Sequence, residues 1–503
     1  MLARSLNRRV FTATAATAVA TSGLVSAIRA QDATPQAETS AADPSGVESE
    51  VLLTGLADPR FVVVDGGDVY FTEAGTGGEE EIFLPDNDES PISMAGHTGR
   101  VSRLSADGTL TEIANDLMSY TFGAAGEIVG PAGLALDGAG SIYVAIGAPG
   151  PFIETMPRTG DEGVLLKIDL ETGETTVLAD LIDWEINQNP DPIAIDSNPY
   201  GISLMDGMVY VADAGGNSII AVDAETGAIS TFAVTGGVPA EFFGADGNPA
   251  RDGAAEIDSV PSAVEPGPDG RLYVAYITGG PFPVGHAPVD AFSTDGNMER
   301  VVEGLTMTAD IAFDSSGAMY AAIASTDLIN GGPGQIVRID EDGSFYVVID
   351  GLALPAGIAF DADDNLYVIN KSSTISGGGE LIRYSGIVTA TDVSVEEHPT
   401  SEATTVEDGS GASGHTFHVD FVDMAFEPSE FTIPADTDVT LTFENKGFLA
   451  HDFVIANPKM VSEVLANGGT SEMVVNLPAG TYEFYCAQIG HRAAGMQGTM
   501  TVE

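Results

Sequence analysis

Cysteine is almost missing: Cys486 is the only one in 503 residues. A lone thiol cannot form an internal disulfide, so a cross-linked scaffold is excluded and Cys486 needs another reason to be there. Basic residues are scarce as well, 18 Lys and Arg against 75 Asp and Glu, for a net charge of −57. Such a chain repels nucleic acid and anionic membrane surfaces, which excludes both as partners. It suits a basic partner, a salty medium or plain solubility. No stretch after the N-terminus reaches the roughly 18 apolar residues of a membrane span. Histidine is thin too: before residue 390 only His97 and His286 occur, so that part of the chain has no His-rich metal cluster. It also lacks a Ser-His-Asp order, a phosphate loop and a haem-attachment motif.

The N-terminus carries what the rest lacks. Residues 1–30 hold four arginines and no acid, with Arg8-Arg9 followed by Val10-Phe11 and an Ala/Thr-rich run. Ala27 and Ala30 supply small residues at −3 and −1 of a cleavage site, so residues 1–30 read as a twin-arginine export signal. A Sec signal with a chance arginine pair is the alternative, and either makes the protein periplasmic or extracellular. Residues 31–48, rich in Ala, Thr, Pro and acid, read as a flexible spacer.

From 49 to 387 a unit recurs: a Pro or Gly, alternating apolar residues, an Asp/Gly turn, then an aromatic-centred strand. It appears at Pro59–Phe71, Pro131–Val144, Pro199–Val211, Pro261–Val274, Ala309–Ala321 and Pro355–Val368, with Tyr70, Tyr143, Tyr210, Tyr273, Tyr320 and Tyr367 at equivalent positions. Each unit is a hairpin pattern. A second hairpin follows several of them, at Val101–Ile113, Leu166–Val177, Ile219–Ile229 and Ile336–Val348. Two hairpins make a four-stranded sheet, and six such sheets set radially make a six-bladed β-propeller. The repeat resembles NHL-like propellers and, through "GLADPR…VYFTEAG" at Gly55–Gly75, the bacterial ScyD/ScyE family. That resemblance implies a fold and not a chemistry. Asp196, Asn198, Asp213, Asn217, Asp310 and Asn370 sit near strand ends. There they are either ordinary turn residues or the metal-binding groups that lactonase-type propellers place there.

Residues 388–414, rich in Ser, Thr, Glu and Gly, read as a linker. Alternation returns over 415–503 in about seven short runs, the pattern of a small β-sandwich. The fold class is therefore all-β, a six-bladed propeller followed by a sandwich. Four residues fall on the sandwich in a set order: His451 after the turn Asn445–Ala450, Cys486 at the end of a strand, then His491 and Met496 as Cys-x4-His-x4-Met. One thiolate, two imidazoles and a weak axial thioether are the ligand set of a type 1 copper electron-transfer site. Zinc would also accept Cys and two His, but Met is a poor ligand for it. A binuclear copper centre is excluded, because it needs two bridging cysteines.

The blocks Asn445–Ile455 and Gly480–Val502 resemble the plastocyanin/azurin family of cupredoxins, with the loop spacing of auracyanin-like members. The resemblance implies one copper ion on His451, Cys486, His491 and Met496. It also implies electron entry through the His491 edge, within an apolar patch of Phe448, Leu449, Ala493 and Ala494. Asp452 stands where many members have an asparagine that braces the ligand loop. Three functions are left open. In one, an electron carrier uses its propeller to dock a redox partner or bind a small-molecule ligand. In the second, a propeller oxidoreductase feeds its own copper. In the third, the propeller is a scaffold beside a copper store. The chain reads more readily as an electron carrier than as a stand-alone enzyme.

Overall fold

The structure is a computed structural model. It describes residues 47–390 and 415–503, except 83–92, 123–126, 149, 151–152, 155–157, 159–160, 194, 241–247, 249–250, 252, 281, 329–331, 373–377, 423–424, 448–450, 456–459, 466–467 and 487–495. The export signal, nearly all of the spacer and most of the linker lie outside those residues.

Each recurring unit forms the two inner strands of an antiparallel sheet, four-stranded in blades 2 to 6 and extended to six strands in blade 1. Blade 1 has its inner strands at Pro59–Asp65 and Asp68–Glu73, and its outer ones at Ser93–Leu104 and Leu110–Phe122. Blades 2 to 5 begin with Pro131–Leu136, Pro199–Met205, Pro261–Pro266 and Thr308–Phe313. Blade 6 takes three strands from Ile358–Phe360, Leu366–Asn370 and Gly379–Ser385. Its fourth comes from the other end of the chain: Glu48–Leu56 pairs antiparallel with Gly379–Ser385. The six innermost strands touch their neighbours in an unbroken ring, from blade 1 through blade 6 and back. All-β and six-bladed, as the repeat implies, is what the chain builds.

Closure follows from where the apolar side chains go. Six core clusters form, one wedge between each successive pair of blades. Every blade is therefore buried on both faces, and its second strand reads as a continuous apolar run, such as Ser141–Ile146 (SIYVAI), in place of an alternating one. Glycine appears in the "P-x-G" motif because neighbouring inner strands cross at close range. A Cβ on Gly133 or Gly201 would stand 2.4 Å from the carbonyl oxygen of Tyr200 or Ser262.

The repeated Asp and Tyr form one device. In blades 4, 5 and 6 the tyrosine hydroxyl donates to the turn aspartate of its own hairpin, Tyr273 to Asp269 at 3.1 Å, Tyr320 to Asp314 and Tyr367 to Asp361 at 3.4 Å. The other oxygen of each carboxylate accepts turn N–H groups, as from Ser316 and Ala318 at 2.9 Å. Connectivity then sorts the loops. The tight turns lie at one end of every blade. The longer loops and the inter-blade connections, including the helix Leu181–Gln188, lie at the other.

Strand Glu48–Leu56 fills the wedge between blades 6 and 1 with Leu53 and Leu56, which are 2 % and 3 % exposed. Leu53→Ala is therefore expected to cost about 2–5 kcal/mol, measured by denaturant unfolding of the full chain.

Residues 415–503 form two packed sheets. One has the order Ala425–Glu427, His415–Val422, Val439–Asn445, Thr470–Val475. The other runs Glu430–Ile433, Gln497–Val502, Gly480–Tyr485, Val454–Ile455, Met460–Val461. Between them lies a phenylalanine core, including a stacked pair, Phe453 and Phe484, with ring centres 4.5 Å apart.

Candidate metal centre

Strand pairing carries His451, Cys486 and Met496 to one place. The strand Gly480–Tyr485 pairs antiparallel with Gln497–Val502, with Tyr485 opposite Gln497. Cys486 and Met496 thus face each other at the neck of that hairpin, and the Cys486 N–H donates to the Met496 carbonyl at 3.0 Å. Val454 and Ile455 pair with Tyr485 and Phe484, which lays the chain just after His451 alongside the chain just before Cys486. The stacked rings of Phe453 and Phe484 lock those two segments together. The result is a separation of 3.9 Å between Cys486 Sγ and His451 Nδ1.

All three side chains are fully buried. The distance is informative. Two ligands at about 2.0 and 2.3 Å from one ion, roughly 120–130° apart, stand about 3.7–3.9 Å from each other. The donor set, one thiol and one imidazole with a thioether beside them, fits a soft or borderline ion. His491, the fourth residue of the set, lies outside the described residues, as do Phe448, Leu449, Ala493 and Ala494 of the apolar patch.

The His451 segment is held by groups that sequence reasoning did not single out. The His451 N–H donates to the Leu465 carbonyl at 3.0 Å, and the Leu465 N–H returns a bond at 2.8 Å. The buried Asn445 amide donates to the same carbonyl at 2.7 Å and accepts from the Gly447 N–H at 2.9 Å. The Phe453 N–H donates to Ser462 Oγ at 2.9 Å. Asp452 sits between these braces, 2 % exposed. The only sequence signal for them is the polar Asn445 at the end of an apolar strand.

In the propeller, the six polar candidates do not form one site. Asp310 is buried and accepts from the Ile311 and Ile358 N–H groups at 2.9 and 2.8 Å, bonding blade 5 to blade 6. Asn370 accepts from the Ala353 N–H at 3.0 Å and donates to Glu380 at 3.2 Å. Both are inter-strand clamps. Asp213 accepts from Ser197 Oγ and from the N–H groups of Asn198 and Gly216, at 2.7, 2.7 and 3.0 Å. Asn198 accepts from the Ala148 N–H at 3.2 Å, and Asn217 donates to Asp258 at 3.1 Å. Asp196 and the helix residue Glu185 lie near Asp213. Burial, reinforced by the charge of Asp213, raises Glu185 to about 8 and Asp196 to about 7. His97 is exposed and His286 half-buried, each with a ring nitrogen on a backbone carbonyl.

Comparison with known proteins bears on the C-terminal region first. Residues 401–502 match the family model of the cupredoxin-like domain. Among solved structures, auracyanin from the photosynthetic bacterium Roseiflexus castenholzii is 26 % identical, over 18 % of this chain and 99 % of that one, at a TM-score of 0.17. Auracyanin A, a "blue" copper protein from Chloroflexus aurantiacus, is 23 % identical over 18 % and 98 %, also at 0.17. Streptogramin B lyase is 16 % identical over 67 % of this chain and 96 % of that one, at 0.36. No curated protein matches the chain.

Proposed function

We propose that this chain is an exported blue-copper electron-transfer protein, with one type 1 copper held by Cys486, His451, His491 and Met496. The observation that carries the reading is the buried Cys486 thiol 3.9 Å from a buried imidazole nitrogen, with the Met496 side chain buried in the same core. Copper bound there would supply a one-electron Cu(I)/Cu(II) couple. The chain supplies rigidity. Backbone bonds hold His451 and Cys486 before any ion arrives, so few atoms need to move when the charge changes. Zinc would leave the buried thioether without a purpose, which favours copper.

The propeller serves as a docking or ligand-binding module of the ScyD/ScyE kind, using the end where its long loops gather. The partner is a redox protein of basic charge, which a chain at −57 would attract from a distance. Export follows the twin-arginine route to the periplasm or beyond, and no described helix is long and apolar enough to cross a membrane. The test is the visible spectrum of the mature protein with copper added. An intense band that bleaches on reduction supports the reading. A colourless protein that prefers zinc overturns it.

Asp452 places an acidic side chain next to a ligand where an amide would do the same bracing. Asp452→Asn is expected to raise the reduction potential by several tens of millivolts. That corresponds to about 1–2 kcal/mol for a unit charge at an effective dielectric near 20. Redox titration of the blue band measures it.

A further inference from the structure

We propose that the outer face of the sandwich carries a second metal site, for a divalent cation of the zinc or copper(II) class, built from His418, Asp420 and Glu444. This site does not depend on the copper reading above. It arises from alternation on two parallel strands. In His415–Val422 the side chains of Val419 and Phe421 enter the core, which sends His418 and Asp420 outward. In Val439–Asn445, Leu441 and Phe443 enter it, which sends Thr442 and Glu444 outward. The parallel register sets His418 beside Thr442 and Asp420 beside Glu444. One imidazole nitrogen and one oxygen from each carboxylate then lie within 4.8 Å of one another, and among the described residues no other group of three such side chains does so.

Hydrogen bonding orients the imidazole. His418 Nδ1 lies 2.9 Å from Thr442 Oγ1, and Nε2 lies 2.8 Å from Asp420 Oδ1. A neutral ring carrying its hydrogen on Nε2 satisfies both contacts, donating to Asp420 and accepting from the threonine hydroxyl. A metal ion would take the place of that hydrogen, between the ring and the carboxylates of Asp420 and Glu444. Glu444, directly across the ladder from Asp420, adds a like charge that costs stability unless it too is offset. Lys446 neutralises only part of this: its ammonium holds Asp420 Oδ2 at 2.7 Å and leaves Oδ1 to face the imidazole. One nitrogen and two carboxylates on a rigid sheet suit zinc or copper(II), and the imidazole disfavours calcium and magnesium.

The test is zinc titration of the full chain by calorimetry, in wild type and in His418→Gln, Glu444→Gln and Cys486→Ser. The expected result, besides any zinc taken at Cys486, is one further zinc equivalent above the weak carboxylate background. It should be lost or at least tenfold weaker in both the His418 and Glu444 variants, and kept in Cys486→Ser. Copper(II) should give a matching second resonance signal with nitrogen coupling and no blue band. Because both substitutions are at surface positions, circular dichroism should not change, and if His418→Gln misfolds then Glu444→Gln decides alone. Equal zinc uptake in wild type and the folded variants overturns the site and leaves His418 as a hydrogen-bond partner of Asp420. So does loss of the same equivalent in Cys486→Ser.

Discussion

Cys486→Ser is expected to remove the intense visible band completely, and with it most of the copper affinity. The band requires a thiolate directly on the metal, and this chain has one sulfhydryl to give. Imidazole and thioether donors produce no comparable transition, so a partial loss is not among the expected results. Stability should change as well, in a way that separates metal loss from misfolding. Without metal the substitution puts a hydroxyl where a thiol was fully buried, at a cost of about 1–3 kcal/mol if the hydroxyl finds no partner. With metal, wild type gains the linkage term, about 4 kcal/mol when free copper stands a thousandfold above its dissociation constant. The variant gains little. Thermal unfolding with and without copper should therefore show a large metal-dependent shift in wild type and almost none in Cys486→Ser. If the blue band survives the substitution, the assignment of Cys486 as ligand is wrong.

Local pairing was legible in the sequence, and pairing between distant segments was not. The six tyrosines mark equivalent strands because a turn aspartate recurs four to six residues before each of them, and the bonds from Tyr273, Tyr320 and Tyr367 show what that recurrence does. Glu48–Leu56 escaped because its partner Gly379–Ser385 lies at the far end of the domain, and a hairpin pattern relates only neighbours. The outer hairpin of blade 4 escaped for another reason. Its strand Ala287–Phe292 is buried at every position, so it has no alternation to read. In the sandwich, His451, Cys486 and Met496 were legible because their side-chain chemistry and order are unusual. Leu465, which holds His451 only through its backbone, carries no signal in its side chain. Asp310 and Asn370 illustrate the converse: residue types common in metal sites bond instead to backbone N–H groups, Asp310 to Ile311 and to Ile358 of the next blade, and Asn370 to Ala353.

The propeller should lose stability as pH rises from about 4 to 8, and Glu185→Gln should remove its own share of that slope, leaving the share of the other buried carboxylates such as Asp196 and Asp310. Glu185 is 1 % exposed, on a helix that packs beside Asp196 and Asp213. Burial, then the charge of Asp213, raises its carboxyl to about 8, against a backbone N–H from Asp196 that pulls the other way. Asp196 is raised to about 7, first by burial and then by Asp213 and Asp258. In the unfolded chain both ionise near pH 4. Between pH 4 and 8 the unfolded state therefore binds fewer protons than the native state, and stability falls as pH climbs through that window. The contribution is fully present below the unfolded pKa values and gone above the folded ones. For Glu185 alone it is on the order of 2–4 kcal/mol. The turn carboxylates act in the opposite direction and lower down. Asp169 and Asp223 are held below their ordinary value by N–H and hydroxyl bonds from the threonine of the same turn, and Asp137 by N–H bonds from Ser141 and Ala139 that outweigh its partial burial. Their contribution is present above about pH 4 and is lost as pH falls below it. The two sets together place the stability maximum on the acid side of neutrality. Relief of the −57 charge by protonation shifts it the same way, but salt screens that effect and does not reach a buried carboxyl. Denaturant midpoints from pH 4 to 9 in high salt, for wild type and Glu185→Gln, isolate the buried group. Parallel curves for the two proteins would mean that Glu185 is ionised in the folded state and that its burial is offset in some other way.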